Sequence, residues 1–151
     1  MASCSGPGCL NLGGNTRRQV ESISDGVGGN TRTLLAKDSG MIYTVGAATS
    51  AITLPTVAIA GNGWFVEFWV NDNTAATTIT APGTDLMIGH VVTGADNNNR
   101  QLNPTSAADF EVITMTTSAV KGDWVRIFCD GTNYFISGDS RVNNGITCAA
   151  E

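Results

Sequence analysis

The sequence contains few basic residues, a single histidine and no long apolar run. Eight lysines and arginines stand against thirteen aspartates and glutamates, which gives a formal net charge of −5. Nucleic-acid binding usually requires a basic face, so this charge argues against a nucleic acid as partner. No segment approaches the roughly 20 apolar residues of a membrane span, and no basic and then apolar leader opens the chain. We therefore expect neither membrane insertion nor export by a signal peptide.

The sequence also lacks the residue patterns of common catalytic and metal sites. His90 lies between a glycine and a valine, a setting typical of a turn or strand end, and no G-x-S-x-G nucleophile motif accompanies it. The run 96–99 offers oxygen ligands for calcium but lacks the glycine and closing glutamate of an EF-hand. Four acids flank predicted strands and are interpreted as solvated turn residues rather than a glycosidase carboxylate pair: Asp85, Asp96, Asp109 and Glu111. We predict no enzyme activity, no cofactor, no metal and no small-molecule substrate.

The four cysteines show none of the C-x-x-C spacings of zinc or thioredoxin-like sites. Cys129 lies inside a strand pattern and is predicted to be a small buried apolar residue. The other three, Cys4, Cys9 and Cys148, lie towards the two ends of the chain. Two interpretations stay open for them: free thiols, or disulfide cross-links within or between subunits in an oxidising medium.

Glycine, threonine and asparagine are abundant, which favours strands and turns over helices. The 151 residues fit one domain with an additional arm. Turn signals separate short segments of strand character, which predicts an all-β, antiparallel β-sandwich or jelly-roll-like domain over residues 39–138. We expect an extended N-terminal arm over 1–38 and a polar C-terminal tail over 139–151. The predicted strands span 42–45, 51–54, 64–70, 77–80, 86–89, 100–102, 110–116, 124–129 and 134–137, and Asp130-Gly131 is a hairpin signal between the last two.

The arm contains an internal echo, because the pentapeptide G-G-N-T-R occurs twice, ending at Arg17 and at Arg32. The echo is either chance or the mark of two similar contacts, each ending in an arginine that meets a carboxylate. The arm has four basic and three acidic residues, a charge near +1, whereas the remainder has four against ten, or −6. A mildly basic arm on an acidic body favours docking on a protein surface over docking on DNA.

The rest of the chain is organised around Ile52–Val70. We predict a strand that ends before Pro55, a tight turn at residues 61–63, and a second strand from Trp64 onwards. Alternation in this second strand puts large apolar side chains on both faces. One face is predicted to carry Trp64, Val66, Phe68 and Val70, and the other Phe65, Glu67 and Trp69.

The segment Trp124–Cys129 shows the same two-sided pattern, with Val125, Ile127 and Cys129 facing one way and Trp124, Arg126 and Phe128 the other. A domain of this size buries only part of its surface, so the surplus aromatics predict a subunit interface. The alternative is a closed sandwich that covers both faces by itself. The interface candidates are Arg17, Arg32, Phe65, Trp69, Trp124 and Phe128.

Three segments in this order carry a family resemblance: Ile52–Val70, Thr78–Gly89 (TITAPGTDLMIG) and Gly122–Gly138 (GDWVRIFCDGTNYFISG). They resemble β-rich virion proteins of tailed bacteriophages. In that group a Leu-Pro strand, a T-I-x-x-P-x-G-D-x-I-x-G hairpin and a closing G-x-W-V-x-I-x-x-D-G-T-x-Y-F-I-x-G hairpin recur in tail-fibre and head-decoration domains. Met87 beside Ile88 is a slight departure. The resemblance implies a structural, trimeric virion protein.

The short chain favours a decoration (cement) protein over a fibre subunit, since neither a repetitive shaft nor an attachment domain is recognisable. The expectation is a homotrimer on the outer surface of the capsid, bound to the major capsid protein and stabilising the shell against internal DNA pressure. The alternative is a tail- or head-fibre domain that binds a host-surface glycan. A third hypothesis is a depolymerase fragment.

Overall fold

The computed structural model describes residues 18–23, 30–94, 101–103 and 109–149, and these form an all-β fold. The strands assemble into one seven-stranded and one five-stranded sheet. In spatial order, the seven-stranded sheet consists of β1 (Val20–Ser22), β3 (Ile42–Val45), β5 (Asn62–Val70), β10 (Trp124–Asp130), β11 (Tyr134–Ser140), β7 (Met87–Thr93) and β8 (Gln101–Asn103). The five-stranded sheet consists of β12 (Ile146–Ala149), β9 (Val112–Met115), β6 (Thr77–Thr80), β4 (Ser50–Thr53) and β2 (Asn30–Thr33). Two short helices complete the described chain: a 3-10 turn at Ala36–Asp38 and α1 at Val57–Ala60. The all-β prediction is confirmed.

The first six strands alternate between the two sheets, and each of the first four pairs in parallel with the strand two positions later in the chain. This part of the chain therefore winds from one sheet to the other and back, and each full turn adds one strand to each sheet. The sequence prediction of an antiparallel domain is corrected here: β7 and β11 are also parallel, so five of the ten strand pairs in the described residues are parallel. Turn signals predict only antiparallel neighbours, because parallel partners are joined by longer crossovers.

The predicted closing hairpin is present as β10 and β11. The Asp130 side chain accepts hydrogen bonds from the backbone N–H groups of Thr132 and Asn133, both at 2.8 Å. Gly131 has a φ of +93°, a conformation that favours glycine. The local sequence therefore closes this hairpin by an Asx-type turn.

One buried apolar cluster contains residues from both sheets. The two predicted inward faces, of β5 and of β10, both belong to it, which confirms the alternation read from the sequence. Cys129 is fully buried, as predicted. The inward side chains of these strands are Trp64, Val66, Phe68, Val70, Val125, Ile127 and Cys129.

One connection and the two terminal regions of the described chain differ from the sequence prediction. The segment between β4 and β5 is the one-turn helix α1, and these two strands lie in different sheets instead of flanking one tight turn. Residues of the predicted arm supply β1 and β2, and residues of the predicted tail extend β11 and form β12, whose Ile146 is fully buried. The strands β1 and β2 are mostly polar in sequence, but ladder hydrogen bonds come from the backbone and need no apolar pattern.

Candidate functional site

The outer face of the seven-stranded sheet aligns its side chains in three parallel rows. The register between β5, β10 and β11 is direct, so side chains of paired residues lie beside one another on the same face. The first row contains Trp69, Trp124 and Asp139; the second contains Glu67, Arg126 and Ser137; the third contains Phe65, Phe128 and Phe135. A charged row therefore lies between two rows with aromatic residues.

The aromatic rings of this face stack across strands. The ring centroids of Trp69 and Trp124 are 5.9 Å apart with an interplanar angle of 24°, and those of Phe128 and Phe135 are 5.1 Å apart at 17°. Trp69 is 36% exposed and Phe128 is 44% exposed, although both are large apolar residues. Stacking shields part of each ring but leaves the outer ring surface open to a partner.

The apolar character continues towards the β8 edge of the sheet. On β7, Ile88 is the register partner of Phe135, and Val92 that of Asp139. On β8, Leu102 follows in the same row and is 50% exposed. The four spacings between the five strands β5, β10, β11, β7 and β8 give the face a width of roughly 19 Å. Exposed apolar patches of this kind are typical of protein interaction sites. We call this surface, built from the outward residues of β5, β10, β11, β7 and β8, the aromatic face.

The charged centre of the aromatic face is organised by Glu67, which is only 4% exposed. Arg126 donates from Nε at 2.9 Å and from Nη2 at 2.5 Å to Oε1 of Glu67, and Arg18 donates from Nη1 at 2.5 Å to the same oxygen. Trp69 Nε1 donates to the other oxygen, Oε2, at 3.3 Å. Burial opposes ionisation of Glu67 and is the largest single influence, but the hydrogen bonds from the two arginines and the tryptophan together outweigh it and lower the pKa of the carboxyl.

Arg18 connects the chain before β1 to this centre. Its guanidinium carbon lies 4.9 Å from the centroid of the Phe65 ring, a cation–π geometry. The side chain of Arg18 is 41% exposed and that of Arg126 is 47% exposed, whereas that of Glu67 is 5% exposed. The acid is thus covered by the two guanidinium groups, which form the outer layer.

The outer face of the five-stranded sheet has a different chemistry. Its register places threonines side by side on neighbouring strands. In the part of the chain that the structure describes, no aromatic or charged side chain is aligned on this face. Its members are Thr31, Thr33, Ala51, Thr53, Thr78, Thr80, Val112, Thr114, Thr147 and Ala149. The surplus aromatics of the sequence are therefore concentrated on one side of the molecule.

The structure brings together four of the six predicted interface residues, namely Phe65, Trp69, Trp124 and Phe128, on the aromatic face. Arg32 lies elsewhere: it belongs to β2, pairs with the Glu21 carboxylate of β1, and its guanidinium carbon is 5.1 Å from the Tyr43 ring centroid. Arg32 thus bridges the two sheets at one edge. Arg17 lies outside the described residues.

Two of the three predicted disulfide cysteines, Cys4 and Cys9, also lie outside the described residues. Cys148 is half-buried in β12 and packs against the core. Burial raises the pKa of its thiol to about 12, and the thiolate is the species that forms disulfides. Cross-linking through Cys148 stays a prediction.

Sequence reasoning did not select Phe135 and Ser137, which lie on the face, or Arg18, which covers its charged centre. Phe135 and Ser137 lie in the predicted strand 134–137, and alternation from the closing turn identifies both as outward once that turn is fixed. Arg18 carries no such signal, since it belongs to a segment without periodicity and reaches Glu67 across 49 positions of sequence.

No candidate metal site is found among residues 18–23, 30–94, 101–103 and 109–149. No group of three histidine, cysteine, aspartate or glutamate side chains within these ranges lies close enough to hold a metal ion. His90 is exposed on β7, as register partner of Ser137. The oxygen-rich run 96–99 lies outside the described residues. Within the same ranges, the helices are too short to cross a membrane.

Comparison with protein-family models, with curated proteins and with solved structures gave no match to this chain.

Proposed function

We propose that the protein is a bacteriophage capsid decoration protein, which binds the outer capsid surface and stabilises the shell against internal DNA pressure. The observation that carries the proposal is the aromatic face. Four side chains selected from sequence as interface candidates converge there, beside further apolar residues and a compact charged centre. Such a surface fits a protein interface, which is rich in aromatic residues and arginine at its core.

The segments that resemble phage virion proteins support the same proposal. Ile52–Val70 contains β5, Thr78–Gly89 enters β7, and Gly122–Gly138 contains β10 and most of β11. These four strands are consecutive neighbours in the seven-stranded sheet. The resemblance therefore includes one continuous block of the seven-stranded sheet, which also carries the aromatic face, and it extends to parts of β4 and β6 in the five-stranded sheet. We extend the proposal to a sandwich or jelly-roll-like layering of the two sheets, in which the arm and tail residues that form the edge strands β1, β2 and β12 contact neighbouring subunits.

The proposed role is mechanical, without catalysis or a cofactor. A homotrimer on the head would bury the aromatic face against the major capsid protein and so link subunits that otherwise separate under pressure. Each contact is modest after the entropy of association is subtracted. Many copies on one shell reinforce one another, because release of one contact leaves the others in place.

Location on the particle is the decisive test. A cryo-electron microscopy map of the phage is expected to show this chain on the head, as a trimer, at a copy number close to that of the major capsid protein. Purified chain added to heads that lack it is expected to bind them and to raise the temperature at which they release DNA. A chain located only on the tail, or absent from particles, would contradict the proposal.

A second candidate is a fibre domain that binds a host-surface glycan. It is favoured by the stacked, exposed pair Trp69 and Trp124 beside the polar Glu67 and Arg126, since sugar rings stack on aromatic surfaces and hydrogen-bond to neighbouring polar groups. Binding of the isolated protein to a host polysaccharide, lost in Trp124→Ala, would support this candidate. Shortening of that polysaccharide would point instead to a depolymerase.

A further inference from the structure

The charges of the aromatic face are arranged in layers. Two guanidinium groups, of Arg18 and Arg126, share one carboxylate oxygen of Glu67. Two positive charges against one negative charge leave a local excess of +1 within this cluster. The positive groups are also the exposed ones, at 41% and 47% of their side chains, against 5% for the acid. Asp139, one row away as the register partner of Trp124, is the next carboxylate on the face.

The geometry of Arg126 leaves donors available. Its Nε and Nη2 are used by Glu67, but a guanidinium carries five N–H donors in a planar fork. The Arg126 side chain is 47% exposed and lies in the row between the stacked tryptophans on one side and the stacked phenylalanines on the other. A carboxylate with apolar neighbours matches this arrangement, because the apolar groups pack on the rings and exclude water from the ion pair.

A symmetric pairing of two copies centred on Arg126 does not match this arrangement. If a two-fold axis passes through the charged row, Arg126 meets the Arg126 of the second copy. Like charges within a desolvated contact are strongly unfavourable. The charge pattern therefore favours a partner of opposite sign over a second copy docked symmetrically about this centre.

We infer that the aromatic face binds a protein surface that presents carboxylates among apolar side chains, with one carboxylate accepting hydrogen bonds from Arg126 and Arg18. This inference deepens the proposed function and rests on it, since it names the chemistry that the capsid surface offers. The whole protein carries a net charge of −5, so attraction of an acidic partner has to come from this local site and not from the overall field.

The test measures binding of the full chain to a fluorescently labelled random copolymer of glutamate and tyrosine, by fluorescence anisotropy. A copolymer of lysine and tyrosine and a polysialic acid serve as comparison probes. The variants Arg126→Gln and Arg18→Gln each remove one charge and keep a donor for Glu67. Lys37→Gln, at an exposed position of the 3-10 turn, removes the same charge outside the cluster and is the matched control. Thermal unfolding of every variant verifies the fold.

The wild-type chain is expected to bind the glutamate–tyrosine copolymer and not the lysine–tyrosine copolymer. Arg126→Gln is expected to weaken this binding at least about tenfold, Arg18→Gln to weaken it less, and Lys37→Gln to leave it unchanged. If Arg126→Gln does not fold, Arg18→Gln alone tests the inference, because Glu67 keeps its hydrogen bonds to Arg126 in that variant. Equal binding of both copolymers, equal affinity in Arg18→Gln and Lys37→Gln, tighter binding of polysialic acid, or self-association that blocks the face would each overturn the inference.

The same variants separate this inference from the proposed function. Attachment to phage heads that persists in Arg126→Gln and Arg18→Gln keeps the decoration role and removes the acidic-partner chemistry. Copolymer binding without attachment to heads keeps the acidic-partner chemistry and removes the decoration role.

Discussion

Arg126 of β10 and Glu67 of β5 are direct cross-strand partners, and the arginine donates two hydrogen bonds to a single carboxylate oxygen of the glutamate. Both side chains extend from the outer surface of the sheet, yet the acid is buried and the base is exposed. This asymmetry places a positive centre within an aromatic surface. It also makes Glu67 the residue on which the local structure of the face depends.

Glu67→Gln is expected to lower the free energy of unfolding near neutral pH by about 1–3 kcal/mol. The pKa of Glu67 lies below its ordinary value of 4.5, so the folded state favours the ionised carboxylate. Its contribution is present above about pH 4.5 and is lost as the pH falls through the lowered folded-state pKa. Urea unfolding of both proteins between pH 7 and pH 3 measures the difference, which should shrink in acid.

The same comparison contains its own control. Asp72 and Asp130 also have lowered pKa values, through hydrogen bonds from Thr74 to Asp72 and from the backbone N–H groups of Asn133 and Thr132 to Asp130. Their titration is common to both proteins and cancels in the difference. A difference that stays constant down to pH 3 would show that Glu67 does not titrate as described.

Phe128→Ser is expected to change stability little and to weaken attachment to heads, because the Phe128 ring is 44% exposed. The neighbouring Ile127 is fully buried, and Ile127→Ala should cost about 2–5 kcal/mol of stability. Chemical unfolding and a head-binding assay on both variants separate the two faces of one strand. Strong destabilisation by Phe128→Ser would mean that the aromatic face is part of the core.

Tyr134→Phe is expected to lower stability and Tyr43→Phe is not, although both tyrosines are fully buried. The Tyr134 hydroxyl donates to the backbone oxygen of Pro55 at 2.5 Å, so its removal leaves a buried acceptor unpaired and should cost about 1–3 kcal/mol. The Tyr43 hydroxyl has no hydrogen-bond partner within the described chain. Its removal should leave stability unchanged or raise it by up to about 1 kcal/mol. Unfolding curves check both; equal losses would contradict the assignment.

Gly46→Ala is expected to destabilise the fold by more than about 4 kcal/mol. Gly46 has a φ of +104°, and an added Cβ would lie 1.5 Å from the backbone oxygen of Asp72. Gly83 provides the control: its φ is +64°, but nothing lies within 4 Å of its added Cβ. Gly83→Ala should therefore cost only the conformational strain, about 1–2 kcal/mol. Similar melting temperatures for the two variants would show that the backbone around Gly46 and Asp72 moves apart to accommodate the added Cβ, which would contradict this prediction.

The sequence predicted the local features of the fold because side-chain alternation and turn chemistry are local. The bounds of β3 and β6 were predicted to the residue, and the hairpin at Asp130–Gly131 to its turn. The inward and outward sides of β5 and β10 followed from the period of two along a strand. These patterns were sufficient to select four residues of the aromatic face before their positions were known.

The sequence could not predict which strands are neighbours. Parallel pairs such as β3 with β5 join segments whose connection passes through the other sheet, and no local pattern encodes that choice. Nor could it predict that β1 and β2 would form in polar segments or that β12 would form near the C-terminal end, since backbone hydrogen bonds form these short strands once a neighbouring strand edge is present.

By itself, the chain determined an all-β protein, acidic overall, with more aromatic side chains than one set of inward faces uses. Only the tertiary structure decided that the surplus rings align in direct register on β5, β10 and β11, and that Arg18 and Arg126 cover Glu67 between them. The physical reason is the range of the interactions: alternation is fixed within a strand, whereas the aromatic face and its charged centre exist only where strands distant in sequence become neighbours.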